Sequence, residues 1–141
     1  SKESFKSEDV KKKWEEIKLK EREEKGQKSI LANIPITLPS LMRAQKIQKR
    51  AATFGFDWKT NEEIFNKVNE EASELSEAIE KNDKENINEE LGDLMFTIVN
   101  LCRHLDVDAE VALRGSTKKF EHRFNYIEAK VEILGKIPAP Y

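Results

Sequence analysis

The sequence contains little glycine, proline or cysteine: five Gly, four Pro and one Cys in 141 residues. All-β sandwiches and barrels need many turns, where Gly and Pro are the usual residues, so their scarcity argues against an all-β fold. The single Cys102 excludes a disulfide within the chain and favours a reducing compartment, the cytoplasm. A net charge of -2 excludes a simple polybasic nucleic-acid binder, so we expect no nucleic-acid partner.

Long apolar runs are also missing. The longest nearly unbroken one, Leu94 to Cys102, is too short to span a bilayer, and no signal-peptide segment opens the chain, so we expect no membrane partner. Because the chain begins with Ser1 rather than Met, we expect a processed protein or a segment of a longer one. Charge, in contrast, is abundant: 37% of residues are charged, against roughly 25% in an average globular protein.

Hydrophobic spacing predicts one all-α domain at residues 30–135, preceded by a charged helical arm or linker at 1–29 and followed by a tail at 136–141. The arm is predicted to be a marginal helix that either docks through Trp14 or stays mobile. The domain is predicted to contain four helices, at about 39–53, 60–81, 83–105 and 108–134. Thr60, Asp83 and Asp108 are the expected N-caps, with Glu63 completing a capping box, and Gly115 is a candidate break or kink in the last helix.

The second predicted helix carries acidic residues beside its apolar face. At 100° per residue, one apolar stripe is formed by Ile64, Val68, Ala72, Leu75 and Ile79. Glu71 lies about 60° from the centre of this stripe, on a flank that Lys67 and Glu74 share. Glu70 lies almost opposite the stripe and is expected to be solvated.

The third predicted helix is apolar on nearly all sides, which predicts burial on nearly all sides. One strip of it is polar and consists of Glu90, Asp93, Thr97, Asn100 and His104. A short turn at 82–84 would bring the Glu71/Glu74 edge against the Glu90/Asp93 edge. Four such carboxylates need a hard divalent cation, Mg²⁺ or Mn²⁺ rather than zinc. The alternative, a solvated acidic helix face, remains equally open from the pattern alone.

The fourth predicted helix places Lys119 and Arg123 one turn apart on one face. Such a basic pair beside an acidic metal site suits a polyphosphate, because the cations neutralise the oxygens that the metal does not reach. The alternative is ordinary surface pairing with Glu121 or Glu128.

Four strings in order carry a resemblance to a known family: LPSLMRAQKIQKRAATFGFDW, KVNEEASEL, NEELGDLMFTIVNLCRHL and KKFEHRF. Over about residues 30–128 the sequence resembles the C-terminal domain of the MazG family of nucleoside triphosphate pyrophosphohydrolases. EExxE followed by ExxD is the metal-binding signature of that family. Its frequent further acid inside EExxE is absent here, where Ala72 and Ser73 stand.

The resemblance implies an all-α fold whose helices pair across a homodimer or larger assembly into a four-helix bundle. It implies Mg²⁺-dependent hydrolysis of nucleoside triphosphates to the monophosphate and pyrophosphate, by attack of water at the α-phosphorus and with broad base use. The metal ligands it implies are Glu71, Glu74, Glu90 and Asp93. Glu71 or Glu74 would activate the water, and the phosphate-binding residues would be Lys67, Lys119 and Arg123.

Two further residues are candidates for the nucleoside. Asn100 is predicted to contact the sugar or base, although a buried structural amide explains it equally well, and Trp58 is a candidate base-stacking residue or a core anchor. Two other functions stay open: a catalytically weak helical dimerisation or interaction module, and a narrower pyrophosphohydrolase selective for dUTP, dCTP or phosphoribosyl-ATP.

Overall fold

The computed structural model describes residues 2–24 and 29–135, and all secondary structure in these ranges is helical. The helices are α1 (Lys2–Glu24), α2 (Ser40–Thr53), α3 (Asn61–Glu80), α4 (Lys84–His104) and α5 (Ala109–Leu134). The predicted all-α fold is confirmed, and α2 to α5 match the four helices predicted for the domain. The predicted tail at 136–141 lies outside the described residues, as do Ser1 and residues 25–28 of the predicted arm. Within the described ranges, no helix is long and apolar enough to cross a membrane.

Side-chain caps begin α3, α4 and α5 at the predicted residues. In each case a side-chain oxygen accepts a hydrogen bond from the backbone N–H three residues later, at 3.1 Å for Thr60, 3.3 Å for Asp83 and 3.1 Å for Asp108. The capping box at Thr60 is half formed, because the Glu63 carboxylate accepts from the N–H of Lys59 instead of completing the box at Thr60. The α5 helix continues through Gly115, so the break considered there does not occur.

The core of the fold is a hairpin of α3 and α4, which pack along their length. The helices are joined at residues 81–83, where Asn82 adopts a left-handed backbone conformation (φ 52°). Ile64 and Ala78 on α3 and Val99 on α4 are almost completely buried between them. A turn this short makes the two helices antiparallel neighbours, as predicted.

The buried face of α3 is rotated from the predicted apolar stripe. Ala72 and Ile79 are exposed, whereas Glu71 and Ala78 are buried. At 100° per residue, the line through Ile64, Glu71 and Ala78 lies about 60° from the centre of the predicted stripe. Glu71 therefore sits in the middle of the face that α3 turns towards α4, and not on its flank.

The prediction that α4 is buried on nearly all sides is wrong for the single chain. Its apolar side chains Leu91, Met95 and Ile98 are 42%, 54% and 44% exposed, and Phe65 on α3 is exposed as well. The reason is that α2 and the start of α5 cover only part of the hairpin, and no other described element packs on the remainder.

Two glutamines of α2 fasten it to the rest of the fold. Gln48 is buried and donates from Nε2 to the Phe96 carbonyl of α4 (2.8 Å). Gln45 donates to the Val107 carbonyl (2.9 Å) and accepts from the N–H of Ala109 (2.8 Å), so it holds the α4–α5 turn and the first residue of α5 together.

The N-terminal helix α1 contacts the end of α2 through an aromatic pair. The ring centroids of Trp14 and Phe54 are 6.1 Å apart. A Cβ at Gly55, whose φ is +90°, would lie 2.9 Å from the Glu15 carboxylate. Trp14 is nevertheless 49% exposed, and among the described helices α1 packs along none, so both alternatives for the arm stay predictions.

Candidate functional site

An acidic cluster lies where α3 and α4 face each other. One carboxylate oxygen from each of Glu71, Glu90 and Asp93 lies within 4.8 Å of the others. Glu74, one turn after Glu71, also lies close enough to Glu90 to raise the pKa of Glu90. The α3–α4 hairpin thus brings together the four carboxylates of the predicted metal site. Three of them could bind a single ion, and the fourth, Glu74, lies beside Glu90.

Lys67 compensates part of this charge. Its Nζ lies 3.1 Å from Glu71 and 3.4 Å from the exposed Glu70. The hydrogen bond with Glu71, against a smaller effect of burial, raises the pKa of Lys67 above its usual value. Lys67 therefore remains a cation beside the cluster at any physiological pH.

Glu90 carries the largest electrostatic cost in the cluster. Its hydrogen bond with Glu71, its desolvation and its hydrogen bond with Glu74 raise the pKa of Glu90 from 4.5 to about 7. The negative charges of the same two neighbours act in the same direction. In the metal-free chain Glu90 therefore keeps its proton to a higher pH than an ordinary glutamate does.

The donor set fits a hard divalent cation. Oε2 of Glu71 and Oε2 of Glu90 are both buried without a hydrogen-bond partner. Buried unpaired carboxylate oxygens are costly, and a cation that accepts oxygen ligands removes that cost. Mg²⁺ and Mn²⁺ prefer oxygen ligands, and this cluster offers only carboxylate oxygens.

The basic pair is not part of this cluster in the single chain. Lys119 and Arg123 lie on an exposed stretch of α5, beside the stacked rings of Phe120 and Phe124, whose centroids are 6.2 Å apart. Within the described residues α5 packs on α2 and α4 but not on α3. Among described side chains neither cation forms an ion pair, so the alternative of pairing with nearby glutamates is not seen.

A cavity of about 490 Å³ opens beside α4, between α2 and the loop that follows it. Its apolar lining includes Leu31, Ile47, Phe56, Trp58 and Phe96, and its polar lining includes Gln48, Asp57, Asn100 and Arg103. Both predicted nucleoside residues, Asn100 and Trp58, thus line one cavity. Trp58 is 42% exposed, so it is not a core anchor.

Sequence reasoning missed three polar residues of this cavity. Gln48, Asp57 and Arg103 were not predicted, because Gln48 contacts a carbonyl 48 positions away and Arg103 contacts Asp57 across 46 positions. Arg103 and His104, at the end of α4, both hydrogen-bond to the carboxylate of Asp57, His104 at 2.8 Å. These contacts join the loop after α2 to α4, and only the fold brings them together.

Comparison with known proteins identifies the family. Residues 59–127 match the family model of the MazG nucleotide pyrophosphohydrolase domain. This stretch of the chain is a MazG domain. The carboxylate cluster, Lys67, Asn100 and the basic pair all fall inside the MazG match, and Gln48, Asp57 and Trp58 precede it.

Named relatives extend the MazG similarity over most of the chain. A nucleoside triphosphate pyrophosphohydrolase of Escherichia coli K12 is 47% identical over 131 residues, 92% of this chain and 50% of the relative. A nucleoside triphosphate pyrophosphohydrolase/pyrophosphatase MazG of Thermotoga maritima is 45% identical over 126 residues, 89% of this chain and 48% of the relative. The Bacillus subtilis protein YabN is 42% identical over 121 residues, 24% of its length. The chain spans about half the length of the first two relatives.

Proposed function

We propose that this chain hydrolyses nucleoside triphosphates to the monophosphate and pyrophosphate, with Mg²⁺ as cofactor. The observation that carries the proposal is the acidic cluster between α3 and α4, in which buried carboxylate oxygens of Glu71 and Glu90 lack a hydrogen-bond partner. The Escherichia coli and Thermotoga maritima relatives, both nucleoside triphosphate pyrophosphohydrolases by name, support this reaction. The cytoplasm is the proposed compartment, in keeping with the single Cys102.

Glu71, Glu90 and Asp93 would hold the cation, with Glu74 completing the set. When bound, the cation would neutralise charge on the phosphates and acidify the attacking water. Mn²⁺ is the expected substitute, since it takes the same oxygen ligands.

The protein's own groups would orient the water and the phosphates. Glu74 or Glu71 would accept a proton from the water that attacks the α-phosphorus. Glu74 is the less buried of the two, so it is the one more open to solvent and substrate. Lys67, whose Nζ lies 3.1 Å from Glu71, would donate a hydrogen bond from its ammonium group to a phosphate oxygen.

A second copy of the chain would supply what the single chain leaves open. The exposed apolar side chains of α3 and α4 favour a homodimer or larger assembly, in which the hairpins pack as a four-helix bundle. Lys119 and Arg123, which bind no carboxylate among the described residues, are free to neutralise the leaving pyrophosphate.

The cavity beside α4 is the proposed nucleoside site. Asn100 follows Asp93 by seven residues on the same face, so about 10 Å of helix separates them. This separation suits a nucleotide with its phosphates at the acidic cluster and its base in the cavity. The mainly apolar lining and Trp58 favour stacking on any base, in keeping with broad base use.

The decisive experiment measures pyrophosphate release from a panel of ribo- and deoxynucleoside triphosphates. Glu71→Gln, Glu90→Gln and Asp93→Asn should each lower Mg²⁺-dependent release by about 100-fold or more, as expected when several kcal/mol of charge stabilisation is lost. Glu77→Gln, an exposed residue of α3, is the matched control and should leave release unchanged. Lys119→Ala with Arg123→Ala should mainly raise KM.

The outcomes separate the alternatives. If the three acidic variants release pyrophosphate as fast as the wild type, the assignment of the site is wrong. Absence of release from every nucleotide would favour the helical interaction module. Turnover restricted to one base would favour the narrower pyrophosphohydrolase. An unchanged KM in the Lys119→Ala, Arg123→Ala variant would show that the basic pair does not bind substrate.

A further inference from the structure

The side-chain amide of Asn100 is held in one orientation by Arg103, one turn later on α4. Nε and Nη2 of Arg103 both donate to Oδ1 of Asn100, at 3.0 and 2.8 Å. An arginine has donors only, so the atom that it contacts must be the amide oxygen. The amide nitrogen of Asn100 is therefore turned away from Arg103.

Arg103 is itself fixed from outside the helix. The carboxylate of Asp57, in the loop between α2 and α3, accepts hydrogen bonds from Arg103 and from His104. The side chains of Arg103 and His104 are only 14% and 13% exposed. Although burial works in the opposite direction, the hydrogen bonds from Arg103 and His104 lower the pKa of Asp57.

This arrangement leaves a hydrogen-bond donor at the cavity. No described residue accepts a hydrogen bond from Nδ2 of Asn100, which is not closed off from solvent. Across the cavity, Nε2 of Gln48 is engaged by the Phe96 carbonyl, and its buried Oε1 has no partner. Both amides are thus oriented before any ligand arrives, with a donor at Asn100 and an acceptor at Gln48.

We propose that Asp57 and Arg103 are positioning residues that hold Asn100 so that its Nδ2 donates to an acceptor atom of the bound nucleoside. The inference rests on the proposed function and deepens it. The acceptor belongs to the base or to the sugar. The base is distinguished by comparing ATP, GTP, CTP and UTP, and the sugar by comparing each with its 2′-deoxy form.

The test is a double-mutant cycle on the full chain. Arg103 donates two hydrogen bonds to Asn100 and one to Asp57. A lysine at this position has a single ammonium group and cannot form all three contacts in the same geometry. Arg103→Lys and Asn100→Ala should each raise KM by up to about tenfold, the value of one lost hydrogen bond, and leave kcat nearly unchanged. The double variant should be no worse than Asn100→Ala alone, because Arg103 acts through Asn100.

Two further variants separate positioning from folding. Asn100→Asp keeps an acceptor for Arg103 but removes the donor, so it should retain the wild-type Tm and still raise KM. His104→Ala removes the other partner of Asp57 and should lower the Tm without changing KM. In ¹⁵N NMR, the side-chain NH₂ signals of Asn100 should shift in Arg103→Lys and stay in place in His104→Ala.

The inference is overturned if the KM effects of Arg103→Lys and Asn100→Ala multiply in the double variant, or if His104→Ala raises KM as much as Arg103→Lys. If the wild type releases pyrophosphate and Arg103→Lys leaves KM unchanged, the positioning role alone is wrong. If the wild type releases none from any nucleotide, the proposed function fails and the role fails with it.

Discussion

Glu90 lies beside two other carboxylates, Glu71 and Glu74, and its pKa is unusual for a glutamate. Its hydrogen bond with Glu71, its desolvation and its contact with Glu74 hold the pKa of Glu90 at about 7, against the usual 4.5. Between these two pH values the folded, metal-free chain binds a proton that the unfolded chain has released. The stability that this proton contributes is full below pH 4.5 and is lost as the pH rises to about 7.

We therefore predict that the metal-free protein becomes less stable between about pH 5 and pH 8, and that Glu90→Gln removes this part of the pH dependence. Thermal unfolding in EDTA measures both. Added Mg²⁺ should restore the Tm of the wild type at the higher pH, because the cation replaces the lost proton, and should do little for Glu90→Gln. Parallel curves for the two proteins would contradict the prediction.

The residues that sequence reasoning found and missed differ in how local their partners are. Glu71, Glu74, Glu90 and Asp93 were accessible because helical spacing and one short turn suffice to bring them together. Arg103 was not, because its partner Asp57 lies in a loop 46 positions away in the chain. No periodicity relates a loop carboxylate to a helix end, so only tertiary structure reveals this contact.

Among the features of single helices, the N-caps were predicted best, because Thr60, Asp83 and Asp108 all cap the helices expected. Asp83 deserves a test because it starts α4 directly after the turn that sets the two acidic edges against each other. Asp83→Ala should lower the free energy of unfolding by about 1 kcal/mol, since it leaves a helix N–H without its acceptor. Asp83→Asn retains a side-chain oxygen as acceptor and should lower the free energy of unfolding by only about 0.3 kcal/mol.

Urea unfolding measures this difference as a shift of the midpoint at unchanged m. Equal midpoints for the alanine and asparagine variants would show that the cap of α4 does not contribute to stability.

The rotation of α3 shows where helix prediction fails. The apolar residues Ala72 and Ile79 suggested one face, yet α4 contacts the face that contains Glu71 and Ala78. The apolar residues of a helix mark every face that becomes buried, whether it packs within the chain or against another chain. The exposed residues on the second side of α3 are therefore consistent with a further partner helix.

For the whole molecule, we expect assembly through the uncovered side of the α3–α4 hairpin. Ile98→Lys places a charge on this surface and should convert a homodimer to a monomer and reduce pyrophosphate release. Ile36→Lys, at a residue that is 84% exposed in the loop before α2, is the matched control and should change neither.

Sedimentation velocity at micromolar concentration measures the assembly state. A wild-type chain that sediments as a monomer, or an Ile98→Lys variant that remains dimeric, would contradict the predicted interface.

The place of Glu71 in the buried line of α3 has a consequence for engineering the protein. Ile64 and Ala78, one heptad before and after it, are fully packed, and an aliphatic side chain between them would continue the seam. A carboxylate there costs folding free energy that a well-packed leucine or methionine would contribute. Glu71→Leu should therefore raise the Tm of the protein while it removes the most buried carboxylate of the proposed cation site, so thermostability and cation binding would compete for a single position.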